Sequence, residues 1–201
     1  MLINLSNLIL SIDEDGNGKN NLKIMGRVFF TSDLHFGHQN LCNSLRKMSS
    51  DESDSIIINR WNKTVNKKDT VYILGDITME KHQYANYLNQ LNGHKVIIGG
   101  NHDVKRCCKE YQNLGFTVMG VLEYKGFLCT HIPVHPTQLY GFKGNIHGHI
   151  HLSGIVKDVG VYNPPKLDGP YYNVNTEFHN YTPILFDDIL KHFQDEYGRD
   201  D

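Results

Sequence analysis

Eight residues with side chains common in metal and acid–base chemistry lie just after short apolar segments of the chain. In order they are Asp33, His35, Asp76, Asn101, His102, His131, His149 and His151. Imidazole, carboxylate and amide oxygen form a ligand set suited to Mn²⁺, Fe or Zn²⁺, rather than to thiolate chemistry or a Ca²⁺ cage. The residue types therefore predict a metal site.

The spacing of these residues supports that prediction. Asp33 and His35 are two positions apart, so on an extended segment both side chains leave the same face and can meet one ion. His149 and His151 repeat this spacing. Glycine directly precedes Asp76, Asn101 and His149. A glycine at such a position lets the backbone turn tightly and come close to a bound ion or phosphate.

Each of these segments is weak evidence by itself. A DxH pattern occurs by chance in many chains, and an isolated histidine after a strand is more often a core or surface residue. The segments Gly100-Asn101-His102-Asp103 and Gly148-His149-x-His151 are moderately specific. Five such segments in a fixed order, each after an apolar run, favour a functional site over an accidental set.

Six short apolar runs predict the buried strands that position these residues. They are 28–31, 70–74, 95–98, 127–130, 145–147 and 172–174. Helical patterns occupy 40–48, 56–65, 81–91, 104–114 and 187–197. Strands that alternate with helices predict an α/β fold with a partly parallel sheet. In such sheets the carboxyl ends of the strands form the ligand crevice, which is where the eight residues fall.

The second half of the chain has a different pattern. Turn residues at Tyr124-Lys125-Gly126 and Asn163-Pro164-Pro165 separate its strand-like pieces, so this half is expected to be more antiparallel and the sheets mixed. Residues 13–18 begin like a calcium loop, but Ile24 stands where a bidentate Glu is required. We interpret them as a polar hairpin turn between two N-terminal strands.

Composition bounds the class of protein. The 201 residues carry a net charge of −2 and predict a single domain over 1–201, with the motifs in a core of about 28–151. No apolar run approaches a membrane span, and the N-terminus lacks the basic region of a signal peptide. Four cysteines without a CxxC pair are interpreted as reduced thiols, which predicts a cytoplasmic location. The balanced charge argues against an extended nucleic-acid surface.

Taken in order, the motifs resemble those of the calcineurin-like metallophosphoesterase superfamily. The motifs are Asp33-x-His35, Gly75-Asp76, Gly100-Asn101-His102-Asp103, His131 and Gly148-His149-x-His151. The resemblance implies a four-layer αββα sandwich with two mixed β-sheets. It also implies a dinuclear metal site on the loops that connect the strands.

Carried over residue by residue, the resemblance implies two ligand sets that share one aspartate. The first ion would be held by Asp33, His35, Asp76 and His151, and the second by Asp76, Asn101, His131 and His149. The two divalent ions would be Mn²⁺ before all others, with Fe or Zn²⁺ as alternatives. His102 would be the catalytic histidine beside them. We interpret Asp103 as a structural residue that starts the following helix.

Departures from the family pattern narrow the range of substrates that we expect. The run after Gly75-Asp76 lacks the GDxVDRG-type signature of protein phosphatases, and residues 32–40 resemble small bacterial and phage phosphoesterases. The expected activity is hydrolysis of a small, nucleotide-like phosphodiester by a hydroxide that bridges the two ions. The expected partner is therefore a small phosphorylated molecule, and the sequence does not indicate an oligomeric state.

Two other functions fit the sequence less well. One is a nuclease on short or single-stranded nucleic acid, although the chain lacks a basic, aromatic-interleaved stripe. The other is a metal-binding interaction module without turnover, against which the retention of His102 and all seven candidate ligands argues. Further candidates for contacts with the substrate are His38, Arg60, His135 and Lys143.

Overall fold

The computed structural model describes residues 3–5, 8–14, 20–80, 83–104, 107–153 and 170–198. Its strands are β1 (Ile3–Leu5), β2 (Leu8–Glu14), β3 (Asn20–Met25), β4 (Val28–Thr31), β5 (Thr70–Ile73), β6 (His94–Ile98), β7 (Thr117–Met119), β8 (Leu122–Tyr124), β9 (Phe127–Cys129), β10 (Gly144–His147), β11 (Tyr171–Asn173) and β12 (Ile184–Leu185). Its α-helices are α1 (Gln39–Leu41), α2 (Ser50–Thr64), α3 (Tyr84–Gln90), α4 (Asn101–Val104), α5 (Cys108–Asn113) and α6 (Phe186–Tyr197). A π-helical turn (Cys42–Arg46) follows α1, and a 3-10 helix (Pro136–Leu139) precedes β10.

Five strands form one sheet in the order β12-β4-β5-β6-β7. The four strands from β4 to β7 are parallel, and β12 pairs with β4 in the antiparallel direction. Thr31 pairs with Ile73, and Ile73 pairs with Ile97, so β4, β5 and β6 end side by side. This register brings the loops that follow the three strands to one edge of the sheet.

The second sheet has the order β11-β10-β9-β8. β10 runs parallel to both β9 and β11, and β8 pairs with β9 in the antiparallel direction. The second sheet is therefore mixed, as expected, and it contains an antiparallel pair, which the strands from β4 to β7 lack. A tight turn with Lys125 (φ 48) and Gly126 (φ 83) joins β8 to β9, but the longer connections on either side of β10 return the chain for parallel pairing. The predicted turn at Asn163-Pro164-Pro165 lies outside the described residues.

Two apolar clusters hold the layers together. The cluster between the two sheets includes Phe30, Leu74, Ile98, Phe127, Cys129 and Ile146, with Phe186, Ile189 and Phe193 of α6. The other face of the five-stranded sheet packs on α2, α3 and α5 through Val71, Ile73, Ile57, Trp61, Leu88 and Tyr111. The prediction of an α/β fold with two mixed sheets is confirmed.

The helix α2 shows how local sequence sets these contacts. It begins after Ser49, whose side chain accepts a hydrogen bond from the Glu52 amide at 3.2 Å. Ile57 and Trp61 are both buried, and the Trp61 indole donates to the carbonyl of Asn92 at 2.9 Å. Among the helices of the described residues, none combines the length and the apolar character that crossing a membrane requires.

The N-terminal strands form a sheet of their own. β1, β2 and β3 are antiparallel neighbours, and Glu14 pairs with Asn20. The predicted pairing of N-terminal strands is therefore confirmed. Residues 15–19, which include most of the predicted turn, lie outside the described residues.

Candidate metal centre

The loops that follow β4, β5 and β10 are joined by hydrogen bonds. The amide of Asp33 donates to the carbonyl of Gly75 at 2.9 Å, and the amide of His35 donates to the carbonyl of Asp76 at 3.0 Å. The amide of His149 donates to the carboxylate of Asp33 at 2.9 Å. These bonds fix the backbone that carries the candidate ligands.

Six of the candidate ligands fall into two groups whose nitrogen and oxygen atoms lie within 4.8 Å of one another. The first cluster is Asp33, His35 and His151, and the second cluster is Asp76, His131 and His149. This division agrees with the ligand sets that the family resemblance implies. It contradicts the spacing argument for His149 and His151. These two residues lie in different clusters, and their backbone is left-handed (φ 72 and 45) rather than extended.

Asp76 lies between the two clusters. Its Oδ2 is 3.4 Å from Nε2 of His131 and 3.7 Å from Nε2 of His35, so it faces an imidazole of each cluster. Asn101, the seventh candidate ligand, places Oδ1 2.8 Å from Nε2 of His131. All seven residues therefore meet at one place, and their assignment as ligands stays a prediction.

The first cluster contains two buried atoms without a hydrogen-bond partner in the described part of the chain. They are Oδ1 of Asp33 and Nε2 of His35, which lie 3.6 Å apart. An unpaired buried polar atom costs about 1–3 kcal/mol, so its presence calls for an explanation. A cation bound between the two atoms would pair with both and remove this cost.

The second cluster also points electron-rich atoms at one another. Nδ1 of His131 lies 2.7 Å from the carbonyl oxygen of Leu74, which accepts the ring proton. In the neutral ring Nε2 then has no proton, and it faces the oxygens of Asp76 and Asn101. Three acceptors that converge in this way suit a cation. The donor sets of both clusters fit Mn²⁺, Fe or Zn²⁺.

The backbone of these loops is strained where it carries candidate ligands. Asp33 (φ 56), His35 (φ 49), Asp76 (φ 54), His149 (φ 72) and His151 (φ 45) all adopt the left-handed conformation. Such a conformation costs a residue other than glycine about 1–3 kcal/mol, and functional sites are where it commonly persists. The geometry of the loops is therefore maintained at the expense of local stability.

Two of the glycines that precede candidate ligands make room for carboxylates. A Cβ on Gly100 would lie 2.2 Å from Oδ1 of Asp76. A Cβ on Gly148 would lie 2.4 Å from Oδ2 of Asp33. Any larger residue at either position would displace a candidate ligand.

Electrostatics keep both aspartates charged. Burial would raise the pKa of Asp33, but the adjacent imidazole of His35 and the charge of His131 lower it to about 2. Burial opposes ionisation of Asp76 as well, and contacts with His131 and His35 hold its pKa below the ordinary value. Both side chains are therefore carboxylates at neutral pH, the form that binds cations.

His102 stands at the open side of the site. Its side chain is 40% exposed, and its Nε2 lies 3.8 Å from Oδ2 of Asp76. Its amide donates to the other carboxylate oxygen of Asp76 at 3.0 Å, which fixes the residue beside both clusters. This position lets the imidazole reach a bound substrate without taking part in either cluster.

Asp103 is structural, but in a different way from the expected start of a helix. It lies inside α4, where its buried carboxylate accepts hydrogen bonds from the amides of Asp76 at 2.6 Å and Gly100 at 3.0 Å. Tyr111 donates to its other oxygen at 3.1 Å. Asp103 therefore joins the loops after β5 and β6.

The further candidates for substrate contacts are not equivalent. Nδ1 of His38 lies 3.4 Å from Nδ1 of His35, so His38 borders the first cluster. Burial and the neighbouring charges of His35 and His102 lower the pKa of His38 to about 4. Arg60 instead donates to the carbonyl and side chain of Asn180.

Sequence reasoning missed two buried charged residues, Arg46 and Glu177. They form an ion pair at 2.7 Å, and Glu177 also contacts His151 of the first cluster. The two residues lie 131 positions apart and belong to none of the motifs, so the sequence contains no local signal for them.

The chain matches the family model for calcineurin-like phosphoesterases over residues 26–196. It therefore belongs to the calcineurin-like phosphoesterase family. Membership implies metal-dependent hydrolysis of phosphoesters, and the two clusters of candidate ligands agree with that chemistry.

Other proteins resemble this chain in sequence or in structure. An uncharacterized protein of Methanocaldococcus jannaschii is 33% identical over 176 residues, which cover 83% of this chain and 91% of that protein. The gene 66 protein of Mycobacterium phage L5 is 39% identical over 85 residues, which cover 39% of this chain and 41% of the phage protein. A protein of unknown function from Aquifex aeolicus has a crystal structure that is similar with a TM-score of 0.63 and 26% identity, covering 83% of this chain and 99% of that chain.

Proposed function

We propose that this protein hydrolyses phosphoesters with two divalent metal ions bound at the carboxyl ends of its strands. The first cluster would hold one ion, the second cluster together with Asn101 would hold the other, and Asp76 would contact both. The observation that carries the proposal is that the candidate ligands converge in two clusters, the first of which contains the unpaired atoms of Asp33 and His35. When bound, such ions polarise phosphoryl oxygens and lower the pKa of water, so that a nucleophile forms at neutral pH.

His102 would act on the leaving group. Its partly exposed imidazole places Nε2 3.8 Å from Oδ2 of Asp76. From this position it would donate a proton to the departing alkoxide, a contribution typically worth about 10²–10⁴-fold in rate. Asp76 would at the same time keep the ring close to the reacting phosphorus through the bond from the His102 amide.

A small organic phosphodiester of the nucleotide type is the proposed substrate. Ile132 and Leu152, each directly after a candidate ligand, are 51% and 56% exposed. Apolar side chains at this position suit an organic group on the ester, and the net charge of −2 does not favour a long polyanion. Mn²⁺ is the proposed metal, because the donors are oxygen and imidazole nitrogen. The free cysteines of the described chain support the proposed cytoplasmic location.

The proposal is tested by stripping metal from the full chain with a chelator and assaying a panel of esters with and without Mn²⁺. The panel would contain an aryl phosphodiester, a nucleotide diester, matched monoesters, a phosphopeptide and a short single-stranded DNA. We expect Mn²⁺-dependent turnover that is highest for the small diesters.

Each other outcome has a definite meaning. Higher turnover of the single strand would favour the nuclease, and higher turnover of the phosphopeptide would contradict the substrate class. Metal binding without turnover of any ester would favour an interaction module.

A further inference from the structure

Arg46 and Glu177 form a buried ion pair behind the first cluster. The Arg46 side chain is 0% exposed and the Glu177 side chain 5%. Nη2 and Nε of Arg46 lie 2.7 and 2.8 Å from Oε1 of Glu177, so the guanidinium binds one carboxylate oxygen twice. A fully buried pair of this kind is costly to desolvate and is weak evidence for stability alone.

The rest of the guanidinium holds the loop that carries the first two candidate ligands. Nη2 donates to the carbonyl of Asp33 at 2.8 Å, and Nη1 donates to the carbonyl of Leu34 at 3.0 Å. Nη1 also donates to Oγ of Ser53 at 2.9 Å, which connects the loop to α2. These bonds support the left-handed backbone between Asp33 and His35.

The second oxygen of Glu177 reaches the third member of the cluster. Oε2 lies 3.2 Å from Nδ1 of His151, while Nε2 of the same ring lies 3.9 Å from Oδ1 of Asp33. A proton held on Nδ1 by the carboxylate leaves the Nε2 lone pair directed at the cluster. One buried ion pair thus positions all three side chains, because Arg46 acts on the loop and Glu177 on the ring.

The second cluster is supported differently. Nδ1 of His131 contacts a backbone oxygen, that of Leu74 at 2.7 Å, and not a carboxylate. A carboxylate partner makes an imidazole a stronger metal ligand than a neutral carbonyl does, and loss of such a partner typically weakens metal binding about 10–100-fold. The two clusters therefore differ in the partner that holds an imidazole Nδ1, which is a carboxylate for His151 and a backbone carbonyl for His131.

We propose that Arg46 and Glu177 are positioning residues that set the metal affinity of the first cluster and leave the second cluster unaffected. This inference rests on the proposed function only in taking the two clusters as metal sites. Neither residue touches the substrate in this account.

Metal binding to the stripped full chain, measured by calorimetric titration with Mn²⁺, tests the inference without any assay of activity. The parent is expected to show two binding events. In Glu177→Gln one of them weakens about 10–100-fold and the other is unchanged. Arg46→Lys, which cannot span the same acceptors, should weaken the same event.

Asp69→Asn provides the matched control. Asp69 pairs with Arg27 at 2.8 Å at the opposite end of the sheet, so this variant loses an arginine–carboxylate pair away from the clusters. Both Mn²⁺ affinities should remain at the parental values. Equal weakening of both events in Glu177→Gln, or no change in either, would overturn the inference.

A measurement on the parent protein tests the inference even if the variants do not fold. In ¹⁵N–¹H spectra of the imidazoles, His151 should carry its proton on Nδ1 before and after Mg²⁺ or Zn²⁺ is added as a diamagnetic ion. A proton on Nε2 in the metal-loaded protein would contradict the role of Glu177. A parent that binds two ions but hydrolyses no ester would reject the proposed function and leave this inference standing.

Discussion

The two ends of the five-stranded sheet use similar residues for opposite purposes. At the amino end Asp69 accepts hydrogen bonds from the amides of Arg27 and Asn66 and from the Arg27 guanidinium, all at 2.8 Å. At the carboxyl end Oδ1 of Asp33 and Nε2 of His35 are buried with no partner among the described residues. Both ends bury aspartate, but among the described residues the unpaired atoms of Asp33 and His35 lie at the carboxyl end.

This difference shows which end of the sheet is suited to bind a ligand. At the amino end the carboxylate of Asp69 has its partners within the protein, so it contributes stability. The carboxyl end combines left-handed residues, unpaired atoms and close approaches at Gly100 and Gly148, which all cost stability unless a ligand compensates. Variants at matched positions on the two ends can test this contrast.

The strand β5 offers the sharpest comparison, because Asp69 precedes it and Asp76 follows it. Asp76→Asn should lower turnover by about 10³-fold, since the shared carboxylate faces both clusters. Asp69→Asn should retain parental turnover. Steady-state kinetics on the aryl diester with saturating Mn²⁺ measure both values, and equal losses in the two variants would remove the contrast.

His94, the first residue of β6, and His102, which follows the strand, form a second matched pair. His102→Gln should lower turnover about 10²-fold with unchanged metal content, because only the proton donor is lost. The loss should be smaller for a substrate with a good leaving group, which needs less protonation. His94, exposed at the start of β6, provides the control His94→Gln with parental kinetics. Parental kinetics in His102→Gln itself would exclude the catalytic role.

A larger side chain at Gly148 should have a smaller effect than the substitutions of Asp76 and His102. In Gly148→Ala the new methyl group would meet Oγ of Ser32 at 2.3 Å and Oδ2 of Asp33 at 2.4 Å. We expect a loss of about 1–3 kcal/mol in the free energy of unfolding and a lower Mn²⁺ affinity. Gly120→Ala is the control, since a Cβ there meets no described atom within 4 Å. Chemical denaturation and metal titration of both variants would show whether the close approach matters.

The amino end should respond to pH rather than to metal. Burial would raise the pKa of Asp69, but hydrogen bonds from Arg27 and Asn66 lower it. Its carboxylate therefore contributes stability above the unfolded pKa of about 4, and this contribution is lost as the pH falls through the lower folded value. Asp69→Asn should cost about 1–3 kcal/mol at pH 7, and the difference from the parent should shrink in acid. A difference that does not change with pH would contradict this assignment.

The sequence was sufficient to predict the strands that position the site and the set of candidate ligands. Short apolar runs followed by polar residues are local signals, and β4 is observed at the predicted residues. The expectation that Asp33 and His35 meet because their segment is extended is wrong. Both residues are left-handed rather than extended, and the loop brings them together through its hydrogen bonds to Gly75 and Asp76.

Other features depend on contacts that no local pattern encodes. The direction of β10 is set by long connections, one of which includes residues outside the described part of the chain. Arg46 and Glu177 are 131 positions apart in the sequence, so no local pattern links them. A sequence pattern shows which side chains can bind a metal, but not which buried residues hold them in place.

We propose that the carboxyl end of the sheet binds two metal ions and that Asp76 is a ligand of both. Elemental analysis of the Mn²⁺-reconstituted full chain, after removal of free metal, tests it most directly. We expect two equivalents of manganese in the parent and loss of both in Asp76→Ala. A single equivalent that survives Asp76→Ala would contradict it.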